Sequence, residues 1–125
     1  PFDAQTPRAR LDVREPNESF TQGGLQLFHT VGVHPTRCDE LAERGEGGAA
    51  GHIERLLAVA RRSLDSGHCV AVGECGLDYD RLEFCGKAAQ QRGFEQQLVG
   101  LAGPLQLPLF LHCRTSEAAR DLHRL

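Results

Sequence analysis

The chain contains no tryptophan, no methionine and a single tyrosine, and aromatic side chains make up only 6% of its 125 residues. Any core must therefore be built from aliphatic side chains, and a hydrophobic content of 40% is lean but globular. No apolar run approaches the roughly 20 residues of a bilayer-spanning helix. No basic start leads into an apolar stretch, so a secretory signal is not expected. Paired short cysteine spacings are also missing: Cys38, Cys69, Cys75, Cys85 and Cys113 form an odd, scattered set. That argues against a disulfide framework and for reduced thiols in the cytoplasm or nucleus. Excess positive charge is lacking too. With a formal net charge of −3 and a pI near 6.1, a general nucleic-acid binder with a basic face is disfavoured. A nucleic acid held locally by a few arginines and a metal is compatible with the same charge.

A single domain is the default at this length, burying roughly two-thirds of the surface its unfolded form exposes. Residues 1–22 show neither helical nor strand periodicity and read as an irregular leader, unrelated to the fold over 23–125. The first residue is Pro, which suggests a partial chain.

Three apolar segments each run into a residue able to hold a metal or a phosphate. Leu27–Val33 leads to His34, Cys69–Gly73 to Glu74, and Leu107–Leu111 to His112. Glu74 lies 40 positions after His34, and His112 another 38 after Glu74. Each interval accommodates a strand, a crossover helix and the next parallel strand. The pattern predicts an α/β fold of parallel strands alternating with helices, in which ligands gather beyond the carboxyl ends of the strands.

Within this frame, Leu25, Leu27, Val31 and Val33 alternate and suggest a largely buried strand over 25–33, broken by His34-Pro35. The glycine-rich 44–51 reads as a surface loop. Ile53, Leu56, Leu57, Ala60 and Leu64 form one helical stripe over 52–66, stopped by Gly67. After a loop through 81–86, Phe94, Leu98, Leu101 and Ala102 recur at helical spacing until Gly103-Pro104. Pro108 opens the third strand, and Thr115 or Ser116 can cap a last helix.

Glu74 carries the sharpest chemical signal. It follows a short apolar strand, between Gly73 and the Cys75-Gly76 pair, where the backbone can approach a ligand closely. Its two carboxylate oxygens could bridge a pair of divalent cations about 3.5–4 Å apart; the alternative is a strand-end Glu paired with a nearby Arg. His112 is a candidate metal ligand, and Arg114 two residues on could offer a forked guanidinium to a phosphate. A core histidine with a helix-capping arginine is the alternative there. His34 could bind a metal, orient a phosphate or move a proton, or be a turn histidine. Asp78 adds acid to the same region and is favoured over Asp80, although both read equally well as surface-loop acids near Arg81. His29, His52, His68 and His123 fit no constellation.

The segments VGVHPTRC (31–38), VAVGECGLDYDRLEFC (70–85) and LPLFLHCRTS (107–116) together resemble three successive motifs of the TatD family of metal-dependent hydrolases and deoxyribonucleases. The likeness is greatest to the eukaryotic TatD DNase domain-containing type and covers about 25–125. It implies a (β/α)8 barrel of the metal-dependent hydrolase superfamily, of which this chain supplies about three βα units. It further implies Mg²⁺-dependent cleavage of DNA phosphodiesters, often as a 3′-to-5′ exonuclease, with Zn²⁺ or Mn²⁺ as other candidate ions and two ions expected in the full-length protein. By resemblance Glu74 and His112 are catalytic metal ligands, while His34, Arg114 and Asp78 lie at the substrate.

The family's amino-terminal metal motif and its later histidine and acidic strands have no counterpart here. Since a (β/α)8 barrel takes around 250 residues, this chain alone is expected to be inactive. Two other readings stay open: a non-catalytic fragment or interaction module, and an amidohydrolase-type esterase such as a D-aminoacyl-tRNA deacylase. The expected partner is DNA as substrate, with no membrane and no obligate protein partner.

Overall fold

The computed structural model of the chain describes residues 27–43 and 47–125. The leader over 1–22, Leu25 and residues 44–46 lie outside that range. Three strands, β1 (His29–Val31), β2 (Cys69–Asp78) and β3 (Leu109–Arg114), form one sheet in the order β1-β2-β3, and both pairings are parallel. The crossovers are helical, as parallel neighbours require. From β1 to β2 the chain passes through a 3₁₀ turn (Pro35–Arg37), α1 (Asp39–Glu43) and α2 (Gly48–Asp65). From β2 to β3 it passes through α3 (Lys87–Gln97), a π turn (Leu98–Ala102) and α4 (Gly103–Leu105), and α5 (Ser116–Leu122) follows β3.

The apolar stripe of α2 faces the sheet. Ile53 is buried in a cluster with Val33, Cys38, Leu41, Val72, Cys75, Cys85, Phe94 and Leu101, and Leu56 and Leu57 pack against it. Ala60 fills a second cluster with Val31 and Cys69. All five thiols are free, and Cys38, Cys69, Cys75 and Cys85 serve as buried small apolar residues while Cys113 is exposed. Burial pushes the Cys38 thiol up to about 12 and that of Cys75 to about 11. At the end of α2, Gly67 takes a φ of 75°, its N–H bonds to the Leu64 carbonyl, and the His68 N–H bonds to that of Ser63. This Schellman closure is the stop that Gly67 led one to expect. Thr115 caps α5, its Oγ1 accepting from the Ala118 N–H at 3.1 Å.

Several boundaries differ from the sequence expectation. α2 begins at Gly48, so the second half of the glycine-rich stretch is helical rather than loop; Ala49 packs on the main core cluster, and that contact outweighs weak glycine propensity. The third helical segment does not end at Gly103-Pro104. The π turn lets the Gly103 N–H reach the Leu98 carbonyl, and Pro104 then stands in the first turn of α4, where its missing N–H costs nothing. The chain leaves the helix only at Gln106.

β1 is shorter than 25–33 and β2 is longer than 69–73. β2 runs on to Asp78 because Val72, Cys75 and Leu77 are all fully buried beneath it. β3 lies at one edge of the described sheet, and Leu109, Phe110 and Leu111 remain substantially exposed rather than core-facing. No helix among the described residues is long and apolar enough to cross a membrane.

The β2–β3 register pairs Gly76 with His112. Gly76 has a φ of 140°, and a Cβ built there would collide with the His112 carbonyl. Gly76→Ala is therefore expected to lower stability by about 2 kcal/mol or more, measured as a shift in the urea midpoint; an unchanged midpoint would show that the two strands can separate freely.

Candidate functional site

The register of β2 on β3 builds the site. Pairing proceeds regularly from Cys75–Leu111 to Asp78–Arg114, but Gly73 pairs with Phe110, so Glu74 is an extra residue on β2. Gly76 opposes His112 and carries no side chain. The imidazole of His112 thus comes between Glu74 and Asp78, which flank Gly76 at equal spacing on the same strand. Its Nδ1 lies 2.7 Å from Glu74 Oε1 and its Nε2 2.9 Å from Asp78 Oδ2.

His34 completes the cluster from the tip beyond β1. Its Nε2 lies 3.3 Å from His112 Nδ1, and the two rings meet edge to face with centroids 4.5 Å apart. The other nitrogen, Nδ1, accepts from the Thr36 N–H at 3.2 Å and lies 2.8 Å from Thr36 Oγ1. That contact caps the Pro35–Arg37 turn and aims Nε2 into the site. Burial lowers the pKa of His34, and proximity to His112 lowers it further; Glu74 and Asp78 oppose the shift only in part.

Asp78 is not a surface-loop acid. It is wholly buried at the end of β2, and its Oδ1 accepts from the Asp80 N–H at 3.2 Å. Two half-exposed guanidinium groups approach its Oδ2, Arg81 Nη1 and Arg114 Nε, each at 3.9 Å. Arg114 also lies 3.8 Å from the exposed Asp80. β3 persists to Arg114, which accordingly shares a face with His112.

These residues suit a cation. The ligand atoms of His34, Asp78 and His112 all lie within 4.8 Å of one another, the one group of three such side chains found among the described residues. A neutral imidazole donates a single N–H, yet His112 presents both nitrogens to carboxylates. One of those contacts needs a second proton or a cation in its place. Glu74, with its side chain about two-fifths exposed, extends the donor set towards solvent.

Of the residues singled out from sequence, His34, Glu74, Asp78 and His112 are in mutual contact and Arg114 stands at their rim. The sequence points to Asp78 as a substrate-side residue rather than a metal donor, because nothing in the local pattern shows that β2 continues past Glu74 and buries Asp78. Arg81 was seen only as a loop partner of the acids. Two buried glutamines, Gln90 and Gln97, were missed altogether. They lie seven residues apart on a helix that also carries Phe94, and that spacing on an apolar face was the available signal. Cys38 does not join the cluster; its thiol faces the His34 carbonyl at 3.8 Å.

The family model described as TatD related DNase matches residues 12–125. The Deoxyribonuclease Tat-D of Schizosaccharomyces pombe is 44% identical over 88 residues, covering 70% of this chain and 28% of its own length. A 3′-5′ ssDNA/RNA exonuclease TatD of Cronobacter sakazakii is 43% identical over 108 residues, covering 86% of this chain and 36% of the relative. The crystal structure of a TatD family hydrolase from Entamoeba histolytica superposes with a TM-score of 0.66 at 38% identity, covering 81% of this chain and 30% of that one. The chain thus spans about a third of the length of the proteins it matches. Its parallel strands and helices form part of a TIM-like barrel.

Since His34 titrates below its ordinary value of 6.5, protonating it opposes the folded arrangement. Its stabilising contribution is complete above pH 6.5 and is lost as pH falls through the lower folded midpoint. An NMR titration of the His34 ring should give a midpoint below 6.5, and Glu74→Ala should lower it further by removing an opposing charge. A midpoint above 6.5 would contradict the ring's placement.

Proposed function

The chain belongs to the TatD-related DNase family, and on that premise we propose that it is the site-bearing part of a metal-dependent phosphodiester hydrolase acting on DNA, working as a 3′-to-5′ exonuclease. The observation that carries this reading is the imidazole of His112 held between the carboxylates of Glu74 and Asp78, with His34 against it. Hard oxygen donors beside imidazole suit Mg²⁺, and also Mn²⁺ or Zn²⁺. Glu74 and His112 are the ligands we assign, and the geometry favours Asp78 as a third. When bound, the divalent ion supplies positive charge that polarises the phosphate and activates water.

The remaining steps fall to side chains. Arg114 and Arg81 are half-exposed and sit 3.9 Å from Asp78, too far for strong hydrogen bonds to it. Their N–H groups are thus available to the non-bridging oxygens of a phosphate, where charge accumulates during in-line attack. His34, whose lowered pKa favours the neutral ring, accepts at Nδ1 from the Thr36 N–H and so carries its proton on Nε2, where it can orient a phosphate by donating to one of its oxygens. Buried Asp78 keeps His112 in one orientation through the 2.9 Å contact to Nε2.

In the full-length protein, Glu74→Ala or His112→Ala should abolish Mg²⁺-dependent release of nucleotides from single-stranded DNA. Arg114→Ala should raise KM for DNA roughly tenfold, the loss of one charge-assisted hydrogen bond, and leave the Mg²⁺ requirement unchanged. Wild-type turnover by the Glu74 variant would overturn the assignment.

A further inference from the structure

We propose that Gln90 and Gln97 are positioning residues that set the spacing between the His34 and Asp78 tips and thereby the affinity of the site for its metal; the inference rests on the metal reading above. Both side chains are fully buried. They lie seven residues apart on α3, about two turns, and so share one face of the helix.

Each pairs its amide with both the N–H and the carbonyl of one residue at a strand tip, and its second amide hydrogen goes to a further carbonyl. Gln97 Oε1 accepts from the Val33 N–H at 2.6 Å, and its Nε2 donates to the Val33 carbonyl at 3.1 Å and to that of Gly93 at 3.1 Å. Gln90 Oε1 accepts from the Asp78 N–H at 2.7 Å, and its Nε2 donates to the carbonyls of Asp78 at 2.9 Å and Cys85 at 2.7 Å. Val33 immediately precedes His34, and Asp78 is itself a member of the cluster.

The sheet explains why a side chain is needed at both places. β1 ends at Val31, its last pairing being with Val72. Beyond that point Val33 has no strand partner. On β2, the Tyr79 N–H goes to the Arg114 carbonyl on the β3 side. The N–H and C=O of Asp78 therefore point to the opposite edge, along which β1 has already stopped. The two glutamines supply the paired donor and acceptor that a neighbouring strand would have given. They do so from one rigid helix, so the tips are held at a fixed separation. Leucine would satisfy packing at either position and leave both backbone groups unpaired.

The test uses the full-length protein with Mn²⁺ as the probe in isothermal titration calorimetry, alongside thermal unfolding. Gln90→Leu and Gln97→Leu should each weaken Mn²⁺ binding about tenfold, because each displaces one member of the His34–Asp78–His112 group whose ligand atoms lie within 4.8 Å of one another. Gln91→Leu is the control: Gln91 lies on the same helix and bonds Tyr79 and Asp121 instead. It should lower the unfolding midpoint yet keep wild-type Mn²⁺ affinity, which separates positioning from general destabilisation. Should the leucine variants not fold, Gln90→Glu and Gln97→Glu keep the length and the acceptor oxygen but lose the amide donor, and should also weaken binding. Folded Gln90 and Gln97 variants with wild-type affinity would overturn the inference alone. A wild-type protein that binds no Mn²⁺ would overturn the metal reading together with it.

Discussion

The contact on which the rest depends is the seating of His112 across β2. Its ring occupies the place opposite Gly76 where a side chain would otherwise stand, with Glu74 on one side and Asp78 on the other. Shifting the β2–β3 register by one residue would put the imidazole beside Cys75 or Leu77, both fully buried in the core, and separate it from one carboxylate. Glu74 belongs to the set because it is an extra residue on β2, placed where the ladder is irregular. The Glu74–His112–Asp78 part of the site is thus a consequence of strand pairing, with His34 added from the turn beyond β1, and parallel pairing with buried Cys75 and Leu77 beneath holds it in place.

The helices serve that pairing. α2 seals one side through Ile53 and Ala60, and α3 closes over the strand tips through Phe94 and the two glutamines. Gly93 lies against Cys38 so closely that a Cβ would strike its thiol, which lets α3 approach the turn beyond β1. The π turn at Leu98–Ala102 then keeps Leu101 in the core while allowing Pro104 to follow in a helix. Backbone demands at the ends of β1 and β2 are met by amide side chains, so polar groups are buried there without loss.

The cluster also has an open side. Glu74, Arg81 and Arg114 line it with half-exposed charge and Asp80 with an exposed one, while buried Asp78 closes its floor. Negative donors inside and guanidinium groups outside suit a substrate that is itself anionic and is gripped through both a cation and arginine. On the far edge of the sheet, Leu109, Phe110 and Leu111 remain exposed in a chain that spans about a third of its relatives.

The order of strands and helices, the stripe on α2, the stop at Gly67 and the cap at Thr115 were all legible in the sequence, because each depends on neighbours within a few turns of chain. So was the repeated placement of His34, Glu74 and His112 after apolar segments, since a strand's length and its chemical terminus are local facts. Tertiary structure decided what required distant partners. β2 continues to Asp78 because Leu77 and Cys75 find a core, and Asp78 is buried because β3, Gln90 and His112 converge on it. Arg81 gains meaning only from the position of that acid. Gln90 and Gln97 look like ordinary polar residues until the early end of β1 leaves backbone groups for them to satisfy. Periodicity reports which face a residue occupies; only the assembled sheet determines what stands opposite.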